Sequence, residues 1–214
     1  MKRFAFGFLW LALIVEIGWT ILNSALLHQS PGLDLVGAAV IVYFVVFAAL
    51  RARWRWMAVI ARLLMAIEFL LSVGDRFGVF GPAGSPGVSW GNFANFVAYT
   101  EQVNAFLPAE FAPVLAVLAT IAEIVLGTTL LVGLRTRLAA LGASVLTLFY
   151  GIAMTISGMT AGQFHYSVFV LCAGMLALAT VDTSALSVDA LVRRLWGFGS
   201  TENLKRFGSA SRAS

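Results

Sequence analysis

Long apolar runs, each broken off by arginine, proline or a glycine cluster, dominate this chain, and their length constrains the fold more than any other feature. A helix needs about 20 apolar residues to cross a hydrocarbon core roughly 30 Å thick. Reading for runs bounded by charge or turn residues predicts six helices, at about residues 4–27, 35–50, 57–75, 111–133, 138–157 and 164–181, the second being the shortest. The runs are continuous. A membrane barrel would instead show roughly ten-residue segments of alternating polarity. With 60% hydrophobic and only 11% charged residues among 214, neither a soluble domain nor a disordered chain fits. The spans consume nearly everything, which leaves no room for a soluble catalytic domain. The expected fold class is an all-α integral membrane protein.

Placement of charge sets the topology. With six spans, one side receives Lys2 and Arg3, the link Arg51, Arg53 and Arg55, the link Arg135 and Arg137, and the tail Arg193, Arg194, Lys205, Arg206 and Arg212, or 12 of the 14 basic residues. The opposite side keeps Arg76 alone. By the positive-inside rule both termini lie in the cytoplasm and the protein sits in the plasma membrane, on this reading a bacterial inner membrane. The net charge of +4 therefore reports topology and not nucleic-acid binding; the lipid bilayer is the partner it implies. The first run resembles a signal peptide only in Lys2 and Arg3. It is too long, carries Glu16, and lacks a small-residue cleavage site, so it reads as a retained helix.

Two segments fall outside the spans. The external loop from Asp75 to Glu110 opens with Gly81-Pro82-Ala83-Gly84-Ser85-Pro86-Gly87. From Ser89, a fair N-cap, Phe93, Phe96, Val97, Val103 and Leu107 follow helical spacing, which predicts an interfacial helix over the external mouth of the bundle. After the sixth run, Val188, Leu191, Val192 and Leu195 beside Arg193 and Arg194, with Trp196, predict a cytoplasmic amphipathic helix on anionic lipid, followed by a disordered tail over 199–214.

Polar groups within the spans are few. Glu16, Glu68 and Glu123 each lie about 18 Å from one end of their span, near the middle of the core. A carboxyl at that depth has to face the bundle interior or water. Glu68 and Glu123 are the candidate catalytic pair, facing one cavity and sharing a proton, whereas Glu16 reads as an interhelical hydrogen-bonding residue. Arg62 is close enough to its helix end to snorkel, yet is also placed to meet a ligand's anionic group. Small-residue stripes favour close packing around the carboxyls: Ala116, Thr120, Glu123 and Gly127 in the fourth run, and Ala140, Ser144, Thr147, Gly151, Thr155 and Gly158 in the fifth. Tyr150, Met154 and His165 supply candidate ligand contacts, with Tyr166 beside them. The single cysteine, Cys172, and two separate histidines, His28 and His165, make neither a disulfide framework nor a metal or haem site by spacing. No P-loop, GxSxG, HExxH or CxxCH pattern occurs.

Several of these motifs, taken in order, resemble the DoxX family of small four-helix membrane proteins over about residues 57–195. They are Ala61-Arg62-Leu63-Leu64 opening a helix that ends Val73-Gly74-Asp75-Arg76-Phe77, then Ala122-Glu123-Ile124-Val125-Leu126-Gly127, Leu131-Val132-Gly133-Leu134-Arg135-Thr136-Arg137, and Ser187-Val188-Asp189-Ala190-Leu191. The resemblance implies a four-helix bundle over 57–182; the transmembrane hairpin that the apolar runs predict over 1–56 lies outside the resemblance as an addition, and the cytoplasmic amphipathic helix and tail follow over 183–214. It also implies partnership with quinone oxidoreductases of sulfur metabolism or with thiol and oxidative-stress complexes, and it carries over Arg62, Glu123 and Arg135. The expected function is a membrane subunit of a redox system that holds a quinone or similar lipid-soluble partner. Its midplane carboxyls relay protons and a partner protein supplies the electron chemistry, since no flavin, haem or metal motif is present. A small proton-coupled transporter and a non-catalytic assembly protein are the competing expectations; the oligomeric state is left open.

Overall fold

The computed structural model describes residues 1–26, 35–183 and 186–192, and among these it contains helices, turns and loops but no strand. In chain order the helices are α1 (Lys2–Ile21), α2 (Leu35–Ala49), α3 (Arg55–Arg76), α4 (Phe93–Val103), α5 (Ala112–Val132), α6 (Thr136–Ile156), α7 (Thr160–His165) and α8 (Val168–Leu178). Proline in the first turn of α5, where an amide has no intrahelical partner anyway, starts that helix. Gly133, at φ 74°, ends it in the left-handed conformation that glycine adopts without a Cβ penalty.

Helix α3 lies along α5, α5 along α6, α6 along α8, and α8 along α1, while α2 flanks α1, α3 and α8. Leu9 and Leu13 of α1, Phe44 and Phe47 of α2, Met65 of α3, Leu130 of α5, and Met175 and Leu178 of α8 fill the core. Small residues make the close approaches. A Cβ on Gly127 would lie 3.2 Å from Phe69, one on Gly151 2.7 Å from Phe169, and one on Gly174 2.2 Å from Phe44. Such close contact is what drives helix association where no hydrophobic difference from lipid exists.

Four helical stretches, Lys2–Ser24, Arg55–Arg76, Ala109–Val132 and Thr136–Ile156, are long and apolar enough to cross a membrane. Their outer faces present side chains such as Ile14, Leu118, Leu138 and Phe149, each about 60% exposed, the pattern of a surface solvated by lipid. The other two apolar helices are shorter, Gly37–Ala49 and Val168–Leu178. The continuous helix expected over 164–181 is instead divided, because Ser167 takes a left-handed φ of 47° between α7 and α8. A tertiary contact holds the break: the Ser167 hydroxyl donates to Glu16 Oε1 at 3.1 Å, with both residues buried.

The bundle has two unlike ends, one carrying Arg51, Arg53, Arg55, Arg135 and Arg137 (the arginine end) and the other carrying the 75–110 segment (the loop end). At the loop end the helix forms over Phe93–Val103, and its N-cap is Asn92, whose side chain accepts the Asn95 amide at 2.8 Å. Ser89, the expected cap, lies four residues before the first helical residue, Phe93, and so cannot serve as its N-cap. Helix α4 packs on α5 and touches α3 and α6. At the arginine end, residues 188–192 make one helical turn. The rest of the expected amphipathic helix, with Arg193, Arg194, Leu195 and Trp196, lies outside the described residues, as do His28 and the 199–214 tail.

Candidate functional site

Two adjacent residues close α3 and pull in opposite directions. Asp75 is buried, and its carboxylate accepts backbone N–H groups from Ser89 (2.8 Å), Trp90 (3.1 Å) and Gly91 (3.0 Å), which pins the far end of the Gly/Pro loop to the helix. Arg76 turns into the bundle. Its Nη2 donates to both carboxylate oxygens of Glu123, at 2.8 and 2.7 Å, and to Ser72 Oγ at 2.9 Å, while Nη1 donates to Thr120 Oγ1 at 2.9 Å. The Arg76 and Glu123 side chains are each 2% exposed. From α6, the Tyr150 hydroxyl donates to Glu123 Oε1 at 2.6 Å. Helix α5 can place this carboxyl because Ala116, Thr120, Glu123 and Gly127 recur at three- and four-residue spacing on its buried face.

An aromatic roof covers the ion pair. The Arg76 guanidinium sits 3.7 Å from the Phe96 ring centroid and 5.4 Å from that of Trp90, within the range of a cation–π contact. Trp90 and Phe96 meet edge to face at 5.1 Å. The loop and α4 thus exclude water from a charged pair, and exclusion strengthens the electrostatics within. Chemically, the arrangement is a phenol hydrogen-bonded to a carboxylate whose charge an arginine balances, and such a trio holds a proton and can pass it along the Tyr150–Glu123 bond.

Of the residues expected at a site, the structure brings Glu123, Tyr150 and Met154 to one region, Met154 packing with Tyr150 beside Val103 and Val168. Of the expected pair of Glu68 and Glu123, the structure shows the oxygens of Glu123 accepting from Arg76 and Tyr150. Gly127 is the α5 residue that faces Phe69 and Leu70. Glu68, half-buried, precedes that contact on α3. His165 stands apart at the loop end, its ring edge-on to Tyr166 at 4.8 Å.

Arg62 does not snorkel. It is 2% exposed at the opposite, arginine end, where Nη2 donates to the Leu186 carbonyl at 2.9 Å and, among the described residues, buried Nη1 and Nε have no acceptor. There Asp189 caps α6, accepting the Arg135 amide at 2.8 Å and that of Thr136 at 3.1 Å. Arg62 and Asp189 accordingly tie the 186–192 segment to the bundle. The functional residue missed in the sequence is Arg76, read there as a loop-edge charge. One signal pointed to it: it follows Arg62 by 14 residues, four helical turns less about 40°, and so falls on the same buried face.

A further group lines the mouth above the roof. The Tyr99 ring lies 5.7 Å from Trp90, and its buried hydroxyl has no hydrogen-bond partner among the described residues, a loss of about 1–3 kcal/mol for a group of this kind. Burial, and after it the neighbouring Tyr166, push the Tyr99 phenol above the usual tyrosine range.

Residues 57–156, which carry Arg62, Asp75, Arg76, Glu123, Arg135 and Tyr150, match the model of the DoxX family. Over these residues the chain is similar to the DoxX family. With four helices long and apolar enough to cross a bilayer, the chain is a multi-pass membrane protein. The matched residues contain both partners of the buried ion pair and the phenol that joins them, whereas Glu16, Asp189 and the α7–α8 break lie outside. None of the curated proteins and none of the solved structures matches this chain.

Proposed function

We propose that this protein is the membrane subunit of a quinone-linked redox system, with Arg76, Glu123 and Tyr150 as its proton-handling centre. The observation that carries this reading is the 2.6 Å bond from Tyr150 to a carboxylate that is 2% exposed and charge-balanced by Arg76. Converting a quinone to its quinol takes up two protons with two electrons. The chain offers residues for the protons; the electrons come from a partner protein, because no cofactor-binding motif stands in the sequence. Six apolar helices cross the bilayer in this reading, α2 and α8 as the short ones. The arginine end faces the cytoplasm, and α4 lies at the opposite membrane surface.

Purification in mild detergent followed by lipid extraction tests the proposal. Quinone in near-stoichiometric amount is expected, and its proton uptake on chemical reduction should slow at least tenfold in Glu123→Gln and Tyr150→Phe. A quinone-free protein, or unchanged uptake in both variants, defeats it. A second reading, a proton-coupled transporter, draws on Glu16 at the break between α7 and α8, since interrupted membrane helices are a device of transporters. It predicts proton-linked solute uptake into proteoliposomes that Glu16→Gln abolishes.

A further inference from the structure

Two links at the arginine end carry basic residues, and they are built differently. In the α5–α6 link the Asp189 carboxylate lies against the Arg135 and Thr136 amides, so negative charge is already present there. The α2–α3 link reads Arg51-Ala52-Arg53-Trp54-Arg55-Trp56. Arg55 is paired with Asp182 at 3.1 Å. Arg51 and Arg53 are exposed, and among the described residues neither forms a salt bridge. Trp54 and Trp56 stand beside them at 59% and 61% exposure.

The backbone holds this link in one shape. Arg51 and Ala52 take left-handed φ values of 48° and 49°. The Arg51 amide donates to the Ala48 carbonyl at 3.1 Å and that of Ala52 to the Phe47 carbonyl at 3.0 Å, while the Ala52 side chain packs against the core. Glycine takes this conformation without a Cβ penalty and is the usual residue just past a helix. A larger residue persists there only where its surroundings enforce it, and such positions cluster at ligand clamps. Two guanidinium groups are thus presented from one fixed turn.

The depth of the turn selects the anion. Helix α3 begins at Arg55, and its 22 residues rise about 33 Å, slightly more than the hydrocarbon core of roughly 30 Å. The link therefore stands level with lipid phosphates, where tryptophan rings also settle. Next to it Val42, Val46 and Leu50 make an exposed apolar stripe on α2, at the spacing of one helix face. An arginine fork matches a phosphodiester, the rings match the glycerol region, and the stripe matches an acyl chain. A soluble acidic protein or a nucleic acid would leave the rings and the stripe unused.

We propose that the α2–α3 link is a binding site for one anionic diacyl phospholipid, its phosphodiester held by Arg51 and Arg53 and its glycerol region against Trp54 and Trp56.

Native mass spectrometry of the full chain released from mild detergent, titrated with phosphatidylglycerol or phosphatidylcholine, tests this. One phosphatidylglycerol should bind about fivefold tighter than phosphatidylcholine, or more. Arg51→Lys with Arg53→Lys keeps the charge, and with it the topology, but loses the planar forks, so affinity for phosphatidylglycerol should fall about five- to tenfold. Arg135→Lys with Arg137→Lys should bind like the wild type. Arg51→Gly relaxes the turn: its thermal midpoint without lipid should rise, and the further rise that phosphatidylglycerol gives the wild type should shrink. Equal affinity for the two lipids, or wild-type affinity in the Arg51 and Arg53 lysine variant, would show diffuse attraction to the interface and overturn the site. An equal loss in the Arg135 and Arg137 variant overturns it too. Displacement of the lipid by millimolar inorganic phosphate makes the link a free-anion site, and tighter binding of an oligoglutamate peptide makes it a protein-docking face; either result defeats the proposal.

Discussion

Removing one partner of the Arg76–Glu123 pair should harm the protein more than removing both. In Arg76→Met the flexible side chain still fills the space under Phe96, but Glu123 keeps only the Tyr150 bond, and the bonds to Thr120 and Ser72 are lost. In Glu123→Gln the Tyr150 bond survives while Arg76 is left as an uncompensated charge at 2% exposure. Stranding one charge of a buried pair costs about 3–5 kcal/mol. For a domain of this size about 2–4 °C of midpoint accompany each kcal/mol, so each single variant should lose roughly 6–20 °C. The double variant removes both charges and with them most of the desolvation cost, and it should lose no more than the milder single. Helical circular dichroism during heating in detergent, checked by monodispersity on a sizing column, measures all four proteins. Strict additivity in the double variant, about 6–10 kcal/mol in total, would refute the reasoning and show that directional bonds, not charge balance, hold the site.

Gly133→Ala should destabilise by at least about 1–3 kcal/mol, since φ is 74° and a Cβ there would lie 1.9 Å from Arg62 Nη1 and 2.7 Å from Ser187 Cβ; thermal unfolding reads this directly. Asp75→Asn gives up the charge that three amides share, and hydrogen exchange at Ser89, Trp90 and Gly91 should quicken severalfold while α5 and α6 stay protected. Raising the pH tests Tyr99: its folded pKa lies above its unfolded value, so stability is intact below about pH 10 and falls above it as the unfolded chain ionises first. Tyr99→Phe should show a shallower alkaline loss, with the difference absorbance at 295 nm reporting the late tyrosinate. For topology, cysteines placed at Ser85 and Arg53 should be labelled from opposite faces of the membrane, Ser85 from outside; labelling of both from one face refutes the six-span arrangement.

What could be read from sequence was whatever a helix writes locally. The long apolar stretches and the small-residue stripe of α5 are periodic, and the stripe itself carried Glu123 to the interior. Tyr150 was legible because it stood in an otherwise apolar helix. Arg76 was not, because an arginine at a helix end next to a Gly/Pro loop ordinarily goes to water, and its burial depends on Trp90 and Phe96 arriving from residues further along the chain. The break at Ser167 has no glycine or proline to announce it; it depends on Glu16 from the other end of the sequence. The N-cap is Asn92 and not Ser89 because Asp75 holds the backbone of residues 89–91 in a loop, so the helix begins only at Phe93.

The pinning of Ser89, Trp90 and Gly91 by Asp75 divides the loop into a part whose length is fixed and a part whose length is not. Gly78 is held against the Gly91 carbonyl, and Gly91 against the backbone of Pro82 and Ala83, so an added residue at those points would shift the roof over Arg76. Gly84 and Gly87 have nothing within 4 Å of where a side chain would begin. The stretch between them is an insertion point, where an epitope tag or a protease site can be spliced in while both anchored ends keep their register.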